Sequence, residues 1–103
     1  MQRRGRRESH VVTEAALQRA IIKALETEGC YVANIVVAGR AGTPDLLVCV
    51  PRPEGGAQFL ALEVKLPAGR VTPLQRVELQ RVEAAGGTAL VVRSVSEALA
   101  AIA

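Results

Sequence analysis

Two apolar runs, 45–50 and 59–65, carry ionic groups where a sheet interior would otherwise be unbroken. Asp45 opens the first, and Glu63 and Lys65 close the second. Burying an unpaired charge costs several kcal/mol, so charges in such runs need partners or a purpose. Side chains alternate along a strand, which puts Glu63 and Lys65 on one face and Leu60, Leu62 and Val64 on the other. Leu46 to Val50 lacks alternation and reads as an inner strand covered on both faces. The connecting stretch Pro51-Arg52-Pro53-Glu54-Gly55-Gly56-Ala57 favours a hairpin, which sets Asp45 beside Glu63.

Two carboxylates and an ammonium then share one site. Mg²⁺ takes oxygen ligands, one or two of them carboxylates, with waters and substrate phosphate completing the shell. Asp45 and Glu63 meet that requirement. The ion lowers the pKa of a bound water and steadies charge on a phosphodiester, and Lys65 adds a cation that positions water or phosphate. This is the chemistry of a metal-dependent nuclease.

Pro44-Asp45 followed by Glu63-Val64-Lys65 resembles the signature of the PD-(D/E)XK nuclease superfamily. With Gly42-Thr43-Pro44-Asp45, Glu63 to Arg70, Thr72-Pro73-Leu74-Gln75 and Ala85-Gly86-Gly87 in register, the chain is similar to a VRR-NUC domain, the virus-type replication-repair nuclease. The likeness runs from about Thr13 to the C-terminus. It implies a restriction-endonuclease-like α/β core and action on branched DNA, with Holliday-junction resolution the leading activity for a lone domain. It also implies a catalytic set of Asp45, Glu63, Lys65 and Gln75, and a metal set of Glu14, Asp45, Glu63 and the Val64 carbonyl holding Mg²⁺ or Mn²⁺. Cutting two strands symmetrically with one site per chain calls for a homodimer.

Composition narrows the alternatives. The chain is on the scale of one domain, placed at 13–103 behind a basic, flexible arm at 1–12. Tyr31 and Phe59 are its only aromatics, too few for a base-stacking platform. The net charge of +3 suggests an acidic partner. Four arginines and one glutamate in residues 1–8 account for all of it, and the body is neutral. Phosphate affinity therefore falls to the metal, to local arginines and to the arm, and should weaken with salt. Two cysteines and one histidine are too few for a structural zinc site. Cys30 and Cys49, both in apolar runs, read as buried free thiols of a reducing compartment. With no signal peptide, no membrane span and no organic cofactor expected, the reading is a cytoplasmic protein of bacterial or phage type.

The order of elements is α-β-β-β-α-β-α. Thr13 caps a helix through Glu28 that Gly29 stops, and Leu17, Ala20, Ile21, Ala24 and Leu25 form its apolar stripe. Glu14 suits the helix dipole as well as a metal. Arg19 and Lys23 form a solvated basic edge. Cys30 to Val37 reads as a strand. The loop Ala38 to Gly42 either simply connects or lets a phosphate approach, with Arg40 as its cation.

Thr72-Pro73-Leu74-Gln75 is a capping box, which explains Gln75 structurally. Gln75 also shares a face with Leu79 and Val82, turned toward the sheet and the Glu63/Lys65 site. Arg70 and Arg76 flank this helix start, where backbone N–H groups favour phosphate. The helix ends at Ala85. Thr88 to Val92 is a short buried strand, joined to the preceding one by a right-handed crossover. Arg93 reads as a surface charge or a phosphate contact, and Ser94 to Glu97 as a second capping box opening the last helix. Two other classes stay open: a non-catalytic nucleic-acid-binding or assembly module whose triad is a buried ion pair, and a nuclease of duplex DNA, flap DNA or RNA. The lack of an appended recognition domain counts against sequence-specific cutting.

Overall fold

The computed structural model describes residues 12–103. The expectations for the basic arm therefore fall, Val12 apart, outside the described residues. Helix α1 (Glu14–Thr27) starts at Thr13, whose hydroxyl accepts the Ala16 N–H at 3.0 Å, and Gly29 follows its C-cap at φ 91°. Strands β1 (Tyr31–Asn34), β2 (Leu46–Pro51) and β3 (Ala57–Val64) follow, then α2 (Pro73–Ala84), β4 (Thr88–Val92) and α3 (Val95–Ile102). This is the expected αβββαβα order.

The four strands form one sheet in the order β1-β2-β3-β4, antiparallel except for the parallel β3–β4 pair that α2 connects. Pairing of Leu46 with Leu62 fixes the hairpin register. One step further along, Asp45 stands opposite Glu63. Leu46, Val48, Val50, Leu60, Leu62 and Val64 face α1 and α3, where Ile21, Leu25 and Ala98 close the main core. On the other face α2 lays Leu79 and Val82 over Ala61 and Ala89 in a smaller cluster.

Several expectations are corrected. The first strand stops at Asn34 rather than Val37, because its partner β2 begins at Leu46. One further bond, from Ile35 N–H to the Asp45 carbonyl at 2.8 Å, prolongs the pairing, and Val36 and Val37 then lie exposed. β-Branched residues make a strand only where a ladder partner exists.

β2 is an inner strand but is not covered on both faces. Helix α2 packs over β3 and β4, so Cys49 on the outer face of β2 is an exposed thiol, and only Cys30 is buried. Burial pushes the Cys30 thiol up, against a smaller opposing pull from Arg52. Ala20 lies outside the α1 stripe, exposed to solvent, and Leu90 at the edge of the sheet is also exposed. No helix among the described residues is long and apolar enough to cross a membrane.

Candidate active site

Asp45, at the entry to β2, uses its side chain as a backbone ligand: Oδ2 accepts the Val64 N–H at 2.8 Å. That bond ties the start of β2 to the end of β3 and aims the carboxyl at Glu63. Glu63 is 2% exposed and sits on the α2 face of the sheet. Its two oxygens have unlike surroundings. Oε2 accepts the Gln75 amide at 3.1 Å and lies 3.7 Å from the Lys65 ammonium. Oε1 is buried with no hydrogen-bond partner.

An ionised carboxylate left half unsatisfied in the interior is costly. Burial, proton sharing with Asp45 and the Asp45 charge raise the Glu63 pKa to about 8, and Lys65 only partly opposes them. With both acids ionised Oε1 has no donor and the two charges repel, and a proton held between the two carboxyls relieves that repulsion. A divalent cation does the same without a proton. Oxygen-only donors, a carboxylate pair and an orphaned buried oxygen fit Mg²⁺ or Mn²⁺ in the way carboxylate sites hold them.

Gln75 serves two neighbours through one side chain. Its carbonyl oxygen accepts the Thr72 N–H at 2.9 Å while Thr72 Oγ1 accepts the Gln75 N–H at 3.1 Å, so the capping box is complete. Its NH₂ is left to reach Glu63. The capping reading holds, and the same residue also touches Glu63, because the amide has separate donor and acceptor ends.

Val64 gives its N–H to Asp45 and ends β3 beside the pair. Glu14, in the first turn of α1, adds the smallest of the repulsions that raise Glu63. Among the described residues no three His, Cys, Asp or Glu side chains are gathered as a ligating group, so the protein's side-chain donors centre on Asp45 and Glu63.

The arginines divide. Arg40 makes a two-pronged pair with Glu78, at 2.7 and 3.2 Å, while staying 58% exposed on its solvent side. Arg70 and Arg76 are exposed around the start of α2. Arg93, read from the sequence as a surface charge or phosphate contact, is half-buried and turns one guanidinium nitrogen onto the backbone. Its Nη1 donates to the carbonyls of Leu66 and Gly69 at 2.8 Å and of Pro67 at 3.3 Å. The second capping box is also altered. Ser94 accepts the Glu97 N–H, but the Glu97 carboxylate reaches past Ser94 to the Arg93 N–H at 2.6 Å. The contacts of Arg93 Nη1 have no local sequence signal, since they depend on where β4 delivers the arginine.

The model of the VRR-NUC domain matches residues 5–96, nearly the whole chain. The chain belongs to the VRR-NUC family. A solved structure described as a VRR_NUC domain superposes with a TM-score of 0.70 at 29% identity, covering 89% of this chain and 96% of the other. A second, a VRR_NUC domain protein, gives 0.66 at 18% identity over 89% and 86% of the two chains, a likeness of fold. No curated protein matches the chain. This VRR-NUC chain is therefore a nuclease-fold domain, with the αβββαβα order and mixed sheet of its relatives.

Proposed function

We propose that this VRR-NUC domain is a Mg²⁺- or Mn²⁺-dependent endonuclease of branched DNA, acting inside the cell as a homodimer that resolves Holliday junctions. The observation that carries the metal-dependent reading is the buried, unpartnered Oε1 of Glu63 beside Asp45. A site retained only as a structural ion pair gains nothing from an orphaned oxygen. Asp45, Glu63 and the Val64 carbonyl would hold the ion, together with Glu14. When bound, the ion supplies charge neutralisation for the two carboxylates and polarisation of water and phosphodiester oxygen.

The chain's own residues do the rest. Asp45 keeps its geometry through the Val64 N–H. Gln75 and Lys65 engage Oε2 and leave Oε1 for the ion. The Lys65 ammonium, a donor with no acceptor, orients the attacking water and steadies charge gathering on the phosphate. Arg40, Arg70 and Arg76 supply exposed cations for the backbone on either side. The junction preference and the dimer rest on the family likeness.

The test incubates purified protein with four-way junction, flap and linear duplex DNA, with Mg²⁺, Mn²⁺ or EDTA. Junction cutting that needs metal and disappears in Lys65→Ala and Asp45→Asn is the expected result. Asn is chosen because its carbonyl still accepts the Val64 N–H, which separates lost chemistry from lost structure. Cleavage in EDTA, or full activity in both variants, rejects the assignment. Binding without cleavage under every metal favours a non-catalytic module.

A further inference from the structure

The Lys65 side chain is 13% exposed, and its ammonium lies 3.7 Å from Glu63 Oε2, beyond a hydrogen bond. That attraction is too loose to fix where a flexible four-carbon stem ends, so packing along the stem must do so. The wall is the turn that follows. Gly69 N–H closes it onto the Leu66 carbonyl at 2.8 Å. Gly69 presents its bare Cα to the lysine: a Cβ built there would lie 3.4 Å from both Cβ and Cδ of Lys65, and 3.2 Å from the Leu66 oxygen.

Three carbonyls of this turn point at one guanidinium nitrogen, Nη1 of Arg93. The arginine is itself anchored. Its N–H donates to Glu97, and the carbonyl of its neighbour Val92 accepts the Lys65 N–H at 3.0 Å. The β4 terminus thus grips Lys65 twice, through the backbone directly and through the turn against the stem.

We propose that Arg93 is a positioning residue for Lys65: it clamps the 66–69 turn against the lysine stem and so sets where the ammonium stands beside Glu63. A guanidinium suits this task because it stays charged at every working pH, and the two N–H groups of Nη1 are shared among the three carbonyls. The kinetic consequence of the proposal rests on the nuclease reading above; the geometric one does not.

The test uses both consequences. The chain has two lysines, Lys23 and Lys65, so lysine-selective ¹³C NMR of the full protein gives two Cε signals. Lys65 should stand apart from the solvated Lys23. In Arg93→Gln the Lys65 signal should move toward that of Lys23, and Arg93→Lys, which keeps the charge and adds a third signal to be assigned, should recover part of the displacement.

On junction DNA with Mg²⁺, Arg93→Gln should cut about 10- to 100-fold more slowly at saturating substrate with unchanged affinity, the scale expected for a misplaced catalytic group. A folded Arg93→Gln whose Lys65 signal coincides with wild type overturns the proposal. So does a variant that loses DNA affinity at an unchanged saturated rate, which would make Arg93 a phosphate ligand. If Arg93→Gln does not fold, Arg93→Met, which keeps the length of the stem without a donor, carries the same readouts: an unshifted Lys65 signal together with an undiminished rate overturns the clamp. If wild type cuts nothing, the nuclease reading fails, and the NMR shifts alone decide the clamp.

Discussion

The amide nitrogen of Gln75 donates to Glu63 Oε2 across 3.1 Å while the oxygen of the same amide closes the N-terminal capping box of α2. Substitutions can therefore separate its two duties. Gln75→Ala removes both and should cost about 1 kcal/mol of stability through the lost cap. Gln75→Glu keeps an acceptor for the Thr72 N–H but replaces the donor to Glu63 with a second negative charge. It should retain most of the cap yet lose cleavage as fully as Gln75→Ala. Paired melting curves and single-turnover rates check this; a fully active Gln75→Glu would leave Gln75 a capping residue alone.

Glu63 makes stability depend on pH in an unusual direction. Its carboxyl is raised from 4.5 to about 8, chiefly by burial and then by Asp45. Between those values the folded protein binds more protons than the unfolded chain, so metal-free stability should fall as pH rises. The stabilising contribution is complete below about pH 4 and is lost by pH 8, an effect on the order of a few kcal/mol. Denaturant titrations at several pH values should show the decline. Glu63→Gln should flatten it, and millimolar Mg²⁺ should restore the midpoint at pH 8. A flat wild-type profile contradicts the raised carboxyl.

Gly42 is where the loop before Asp45 passes the first turn of α2. Its φ is +81°, and a Cβ there would lie 2.7 Å from the Leu74 carbonyl carbon and oxygen and 3.0 Å from the Gln75 nitrogen. Backbone cannot retreat as a side-chain tip can. Gly42→Ala should cost about 1–3 kcal/mol and shift Gln75 off Glu63. Equilibrium denaturation measures the first effect and cleavage rate the second. An Ala variant with wild-type stability would contradict the close approach.

Glu78 holds two guanidiniums, Arg40 at 2.7 Å and Arg81 at 3.4 Å, both largely exposed on their solvent sides. The hydrogen bond from Arg40 keeps the Glu78 carboxyl below its ordinary range. Glu78→Gln should release both cations, tighten junction DNA binding several-fold at low salt and steepen the salt dependence. Fluorescence anisotropy across a salt series reads both. Unchanged affinity would place these arginines away from the DNA path.

Much of the fold is written locally. Thr13, Thr72 and Ser94 each announce a helix start, because a cap needs only residues within one turn. The Gly-rich turn at 55–56 and the alternation of 60–64 set the hairpin that brings Asp45 to Glu63. Cys49 and Val36-Val37 lie exposed despite their apolar sequence, because apolar character is local while cover is not: what α2 leaves bare on β2, and where β1 runs out of partner, depend on how whole elements dock.

The order of residues alone determined which groups can meet, since strand alternation and a short hairpin allow one pairing of Asp45, Glu63 and Lys65. Tertiary structure decided how each is held. It left Glu63 Oε1 without a donor, turned Asp45 onto the Val64 N–H, and sent Arg93 to the carbonyls of a turn 24 to 27 residues away in the chain. A guanidinium carries no sequence mark of whether phosphate or backbone will satisfy it, because that choice is made by distance in space.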